Sequence, residues 1–167
     1  ALIALGCREK PLFLHATSHM VHLDCLRDGA AQAENSAALA KKHLVQEAGL
    51  QQVEFFGHFD QVPTFDHIAA LLEKHSEGVL VLELPQRMNG GGTISFEDLK
   101  RVRQLCTSKG ISMHMDGARL WEVQPYYGVP LSVICEHFDT VYTSFYTGIG
   151  ALSGAVLSGD SSIIESA

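Results

Sequence analysis

An acidic and a basic side chain lie three positions apart, directly after an apolar run of the sequence. Asp116 ends the run Ile111–Asp116 (ISMHMD), and Arg119 follows after Gly-Ala. A carboxylate in this position could keep a cofactor ring nitrogen protonated, and a guanidinium could bind a carboxylate through two parallel hydrogen bonds. The same Asp could instead cap the next helix, with Arg119 on the helix surface. Taken alone, the pair favours that structural interpretation.

Short apolar runs alternate with amphipathic stretches, which predicts strands separated by helices. The predicted strands are Pro11–Ala16, Gln52–Phe56, Gly78–Leu84, Ile111–Asp116, Thr140–Tyr146 and Ala155–Ser158, and the predicted helices are Ala30–Ala48, Phe65–Lys74, a helix from Ser95 to Lys109, and Leu131–His137. This order predicts an α/β fold with a mainly parallel, doubly wound sheet.

Ligands of such sheets bind beyond the carboxyl ends of the strands. The residues that follow predicted strands there are Ser18, His19, Asp24, Glu83, Gln86, Asp116, Gly117, Arg119 and Ser144–Gly150. They form the candidate site.

Four segments, in order along nearly the whole chain, resemble the threonine aldolase and β-eliminating lyase family. His114–Trp121 (HMDGARLW) resembles the family signature HxDGARLW. The other three are Thr17–Met20 with Asp24, similar to SH(I/L)…E; Glu83–Arg87 with Asn89–Gly92, similar to the segment after the next strand; and Ser144–Ala151 with Ser153–Leu157, similar to SFYKGxGxxxGA. Asp24 stands where relatives usually have Glu.

The resemblance implies a fold-type I enzyme that uses pyridoxal 5'-phosphate as an electron sink. It implies that His19 stacks on the cofactor ring, that Asp116 pairs with the pyridine nitrogen, and that Arg119 holds the substrate carboxylate. The expected reaction is Cα–Cβ cleavage or β-elimination on a β-substituted L-amino acid.

Thr147 occupies the position at which the family has the lysine that bonds covalently to the cofactor. A threonine hydroxyl cannot form an imine and is a poor base. The nearest lysine is Lys109, and none occurs from Tyr142 to Ala167. The expected cofactor binding is therefore non-covalent at best. Two alternatives to a working lyase stay open: a non-catalytic relative, or a threonine introduced deliberately or by a sequence error.

The resemblance also implies a single, partial large domain over residues 1–167. The phosphate-binding loop is expected before residue 1 and a small domain after Ala167. Self-association is expected as well, because fold-type I enzymes commonly build their sites at a dimer interface.

Composition excludes several other classes of function. The net charge of -7 and the absence of a Lys/Arg run argue against nucleic acid as the main partner. No apolar stretch is long enough to span a bilayer. The four cysteines form no CxxC pair, which favours a reducing compartment and predicts a cytoplasmic protein.

A metal site and an aromatic ligand cage are the remaining candidates. His19, His22 and Asp24, or His114 with Asp116, could supply metal ligands, but the chain has neither an HExxH helix nor a cysteine pair. We therefore predict no metal centre. We expect the aromatic residues Trp121, Tyr126, Tyr127 and Phe138 to serve mainly in core and interface packing.

Overall fold

The computed structural model describes residues 12–16, 51–54 and 61–165. In these ranges the strands are β1 Leu12–Ala16, β2 Gln51–Glu54, β3 Val79–Glu83, β4 Ser112–Gly117, β5 Thr140–Ser144 and β6 Ala155–Gly159. The helices are α1 Phe65–Leu72, α2 Phe96–Lys109, α3 Leu120–Tyr127, α4 Leu131–Cys135, α5 Phe145–Gly148 and α6 Ser161–Ile164, with a short 3-10 turn at Arg87–Asn89.

The strands form one sheet in the order β2-β1-β3-β4-β5-β6. All neighbouring pairs are parallel except β5 and β6, which are antiparallel. The predicted α/β fold with a mainly parallel sheet is thus confirmed. Because the chain moves from β1 outward to β2 and then back to β3, the order reverses between β1 and β3. Such a switch point is where sheets of this kind bind ligands, at the carboxyl ends of the strands.

One face of the sheet packs against the helices to form the core. Its strand residues are Leu80, Leu82, Met113, Met115 and Val141, and its helix residues include Ile68, Leu72, Leu99, Val102, Cys106, Leu120, Val123 and Ile134. In α1 the fully buried residues are Ile68 and Leu72. In α2 the buried residues are Leu99, Val102 and Cys106, whereas Leu105 is only half-buried.

The amino ends of β4 and β5 are tied together by an ion pair. Arg103 donates from both guanidinium Nη atoms to the two carboxylate oxygens of Asp139, at 2.7 and 2.9 Å. Asp139 also accepts a hydrogen bond of 2.7 Å from the backbone N–H of Met113. This cluster of Arg103, Asp139 and Met113, called the clamp below, joins α2, β4 and the residue before β5.

One end of a predicted strand is wrong, and one helix was not predicted. The predicted strand Thr140–Tyr146 ends at Ser144, because the Ser144 side chain accepts a hydrogen bond from the Thr147 N–H and starts α5. Helix α3 was not predicted from the sequence, because Pro125 and two tyrosines lie inside it and weaken its helical pattern. The predicted helix Ala30–Ala48 lies outside the described residues. None of the helices in the described ranges has the length and apolarity needed to cross a membrane.

Candidate active site

Three polar side chains line up across the sheet near the carboxyl ends of β3, β4 and β5. Glu83 pairs in register with Asp116, and Asp116 pairs with Tyr142. Residues in register on neighbouring parallel strands point to the same face, and their strands lie about 4.8 Å apart. This row lies on the face opposite Met115 and Val141, so it faces away from the helical core described above.

Glu83 is the most enclosed member of the row, with 5% of its surface exposed. Its Oε1 accepts a hydrogen bond of 3.5 Å from the Arg87 N–H, whereas Oε2 is buried and has no hydrogen-bond partner among the described residues. Burial raises the pKa of the Glu83 carboxyl, and the charge of Asp116 raises it further. The Arg87 N–H and the charges of Arg119 and Arg87 act in the opposite direction.

Asp116 is half-buried, and its carboxylate has few contacts of its own. Oδ1 accepts a hydrogen bond of 3.3 Å from the Ala118 N–H, and no other described residue bonds to this carboxylate. The backbone oxygen of Asp116 accepts from the Leu84 N–H at 3.0 Å, which extends the pairing of β3 and β4 past Glu83. The backbone is therefore fixed, while the carboxylate keeps acceptor positions that no residue in the described ranges fills.

Arg119 is the half-buried residue that precedes α3. In the described part of the chain its guanidinium forms no ion pair, although its charge acts on Glu83. A guanidinium in this state can bind an incoming carboxylate bidentately.

Gly117 allows β4 and β5 to approach closely between these two charged residues. A Cβ at position 117 would lie 2.6 Å from the backbone oxygen of Tyr142. Glycine is therefore needed at this position for a steric reason.

His114 is a structural residue in this arrangement. Its Nδ1 lies 2.7 Å from the Thr140 hydroxyl, and it sits on the same face as Asp116, two residues earlier in β4. Burial lowers the pKa of His114 to about 4, although the charge of Asp116 acts the other way. The imidazole is therefore neutral at physiological pH.

Thr147 lies in the short helix α5, directly after β5. Its backbone N–H donates to Ser144 Oγ at 3.1 Å, and its hydroxyl donates to the same oxygen. Ser144 is fully buried, and its carbonyl accepts a hydrogen bond of 3.3 Å from Trp121 Nε1. The Trp121 ring also lies against Gly148, where a Cβ would be 2.7 Å from its Cδ1. The turn is thus closed by contacts that involve no charged group.

The structure places Asp116 and Arg119 at the end of β4 and Thr147 after the neighbouring strand β5. His19 and Asp24, the other residues singled out by the sequence, lie outside the described residues, as does His22. No group of three possible metal ligands occurs within residues 61–165, where His114 is hydrogen-bonded to Thr140.

Two residues of the candidate site received no role from the sequence. Tyr142 lies in register with Asp116 and is hydrogen-bonded to Tyr146, and this bond is the main cause that raises the pKa of the Tyr142 phenol. Nothing in the pattern TVYTS distinguishes this tyrosine from a packing residue. Ser144 could have been found, because Ser three positions before the N–H it binds is an ordinary capping signal.

Of the aromatic residues predicted to pack, Phe138 is buried in the core and Tyr127 packs against it. Tyr127 also donates to the Ile94 oxygen at 2.7 Å. Tyr126 is 67% exposed and does not pack in the core, so interface packing stays a prediction for that residue. It lies on the outer side of α3, where the helix meets solvent.

Comparisons with known proteins agree with the resemblance in the sequence. The family model for beta-eliminating lyases matches residues 1–167. A low-specificity L-threonine aldolase from Candida albicans is 31% identical over 93 residues, which are 56% of this chain and 25% of that protein. A low-specificity L-threonine aldolase from Arabidopsis thaliana is 33% identical over 92 residues, which are 55% of this chain and 26% of that protein.

Two solved structures share the fold over 98% of this chain. One, described as an aromatic amino acid beta-eliminating lyase/threonine aldolase from Exiguobacterium sp., has a TM-score of 0.75 at 29% identity, over 42% of its own length. The other, described as an L-allo-threonine aldolase from Listeria monocytogenes, has a TM-score of 0.73 at 32% identity, over 40% of its length. The chain thus spans about a quarter of the curated relatives and two fifths of the solved ones. It belongs to the beta-eliminating lyase family, whose members are pyridoxal phosphate-dependent lyases of fold type I.

Proposed function

We propose that this protein binds pyridoxal phosphate and a small amino acid at the carboxyl edge of β3, β4 and β5. The reaction proposed for the site is Cα–Cβ cleavage, as in threonine aldolases, or β-elimination on a β-substituted L-amino acid. The observation that supports this most strongly is the pairing of Asp116 with Arg119. Both are half-buried at the end of one strand, and neither forms an ion pair with a described residue.

The donor set fits the cofactor. The Asp116 carboxylate has open acceptor positions at a sheet edge, which suits a protonated ring nitrogen. Bound there, pyridoxal phosphate supplies an electron sink for negative charge at the substrate α-carbon. The Asp116 carboxylate would then accept a hydrogen bond from the ring N–H and keep that nitrogen protonated, Arg119 would orient the substrate through its carboxylate, and His19 is proposed to stack on the ring.

Thr147 makes a non-catalytic role the second candidate, and one observation favours it. The Thr147 hydroxyl and N–H both bind Ser144 Oγ, so the hydroxyl is already engaged in a closed turn. A hydroxyl in this state neither bonds covalently to an aldehyde-bearing cofactor nor accepts a proton at neutral pH. In this second role the protein keeps the binding surface and lacks the covalent step.

The test compares this protein with Thr147→Lys and with a control, Thr107→Lys, which adds the same amine on the exposed surface of α2. Each is titrated with pyridoxal phosphate, reduced with borohydride, and mapped for the modified lysine. Turnover is then measured with threonine and with other β-substituted L-amino acids.

We expect only Thr147→Lys to gain a borohydride-reducible band at residue 147 and to turn over a substrate. That result supports an intact site in which Thr147 alone prevents the reaction. Turnover by the unaltered protein would rule out the non-catalytic role. If none of the three proteins binds the cofactor, then Asp116 and Arg119 are structural and the proposal is wrong.

Three further features are proposed with this function. The chain forms the central part of a large domain, supported by its 40–42% coverage of the solved relatives. The protein self-associates, supported by the resemblance to fold-type I enzymes, and works in the cytoplasm, supported by its cysteine usage. Sedimentation would test the second feature and fractionation of cells the third.

A further inference from the structure

Glu83 is a buried acid that the proposed chemistry leaves without a role. It ends β3 next to the switch point of the sheet, with 5% of its surface exposed. Oε1 has one long contact, to the Arg87 N–H, and Oε2 is buried without a hydrogen-bond partner in the described part of the chain. An ionised carboxylate with an unpartnered, buried oxygen is costly, whereas the neutral acid avoids most of that cost.

The neighbour of Glu83 in the sheet adds to this cost. Asp116 is its partner in register on β4, so two carboxyl groups project from adjacent strands to the same face. Like charges this close disfavour each other, so a proton on one of the two groups would relieve the repulsion. The half-buried Asp116 is the better site for the charge because it is less enclosed and receives the Ala118 N–H.

Among the described residues, two arginines and a tyrosine are the other charged or titratable groups near Glu83. Arg119 follows β4, and Arg87 lies in the turn after β3; both favour an ionised Glu83, yet burial is the larger effect. Tyr142 on β5 lies beyond Asp116 in the row. Burial therefore outweighs the effect of the two arginines on the Glu83 carboxyl.

We propose that Glu83 is a positioning residue that stands beside Asp116 as a neutral carboxylic acid and leaves Asp116 the single anion of the pair. The part of this proposal that concerns the cofactor rests on the function proposed above. A single anion matches a single protonated ring nitrogen, so the pair fixes both the charge and the place at which the nitrogen binds. The protonation of Glu83 itself does not require the cofactor and can be measured without it.

The first measurement is infrared spectroscopy of the cofactor-free protein at about pH 6, where exposed glutamates are ionised. We expect the carbonyl band of a protonated carboxyl group, lost in Glu83→Gln and retained in Glu77→Gln, which changes an exposed glutamate nearby. A spectrum in which Glu83→Gln removes no such band would overturn the proposal.

The second measurement is thermal unfolding across pH. The folded protein holds the Glu83 proton more tightly than the unfolded chain, so this stabilisation is complete below the ordinary pKa and is lost as pH rises through the folded pKa. The melting temperature of Glu83→Gln should therefore rise relative to the unaltered protein between about pH 4 and pH 8. The expected gain is roughly 3–5 °C for each tenfold increase in proton affinity on folding. A difference that stays constant with pH, or shrinks, contradicts the neutral acid.

Asp116→Asn tests the coupling even if Glu83→Gln folds poorly. Removing the neighbouring charge should make Glu83 lose its infrared band at a lower pH than in the unaltered protein. An unchanged titration would show that the two groups do not act as a pair.

A titration with pyridoxal phosphate distinguishes this inference from the function proposed above. In Thr147→Lys, the pH profile of pyridoxal phosphate affinity should shift when Glu83→Gln is added, and remain unchanged with Glu77→Gln. If no variant binds the cofactor but the infrared band is present, the proposed function fails and the neutral Glu83 stands. If the cofactor binds and Glu83→Gln does not change the pH profile of its affinity, the positioning role fails and the function stands.

Discussion

The carboxyl ends of β4 and β5 lie side by side, yet their polar groups are used in opposite ways. At β4, Asp116 and Arg119 are half-buried charges without ion-pair partners among the described residues. After β5, Ser144 and Thr147 are hydroxyl residues that bind each other, while Trp121 closes the turn against Gly148. In the described part of the chain, the charged groups of the first region are left to bind a ligand, whereas the hydroxyl groups of the second region bind each other.

This difference supports the proposal that a ligand binds at the end of β4. Charges that remain unpaired at the end of a buried strand cost stability, so they indicate a ligand site more strongly than satisfied hydroxyls do. A lysine in place of Thr147 would supply a third charge to this edge. The threonine supplies a cap for a one-turn helix instead.

The largest expected effect is on the charged region. Asp116→Asn, added to Thr147→Lys, should lower turnover at least about 100-fold, because a neutral amide does not hold the ring nitrogen in its charged form. Steady-state kinetics would measure this loss. Asp66→Asn, which changes an exposed aspartate in α1, should leave the rate of Thr147→Lys unchanged when it is added to that variant. Equal rates in Thr147→Lys and in its two double variants would show that the two regions do not differ as described.

An intermediate effect is expected at the junction of the two regions. Gly117→Ala would place a Cβ 2.6 Å from the Tyr142 backbone oxygen, which cannot move without disturbing the pairing of β4 and β5. We expect a loss of about 1–3 kcal/mol in the free energy of unfolding, measured by urea denaturation. Ser112→Ala, at the start of the same strand, serves as the control. If Gly117→Ala leaves the free energy of unfolding unchanged, the two strands have room to separate at this position.

The smallest effect is expected in the hydroxyl region. Ser144→Ala removes the acceptor for the Thr147 N–H and hydroxyl, and should cost about 1 kcal/mol, as loss of a helix cap usually does. Ser95→Ala removes the corresponding cap of α2 and should cost a similar amount. If cofactor affinity, measured by absorbance titration, falls with Ser144→Ala and not with Ser95→Ala, the β5 turn has a binding role that its internal contacts do not indicate.

Much of the fold could be predicted because the signals are local. GVLVLEL is a continuous apolar run that becomes the fully buried β3, and Ser95 with Gly110 bounds α2 where the capping pattern places it. At the end of β5 the capping signal of Ser144 competes with Phe145 and Tyr146, which suit a strand as well as a helix, so the strand was predicted too long. The hydrogen bond that the Thr147 N–H donates to Ser144 Oγ decides between the two.

The site could be predicted in part. The order of strands and helices was enough to select the carboxyl edge, and the resemblance assigned roles to Asp116 and Arg119. The proximity of Glu83 and Asp116 is different, because it depends on the register of two strands separated by 33 positions in sequence. Neither composition nor periodicity contains that register, so the electrostatic pair becomes visible only in three dimensions.

The clamp of Arg103, Asp139 and Met113 has a consequence for how the two ends of β4 and β5 respond to substitution. It fastens β4 and β5 at the ends farthest from the candidate site, through hydrogen bonds of 2.7–2.9 Å. The clamp and the candidate site thus lie at opposite ends of β4 and β5. The hydrogen bonds of the clamp do not involve any side chain of the candidate site. Thr147→Lys removes none of them, so a change at this position should test the chemistry of the site and leave the amino ends of β4 and β5 joined.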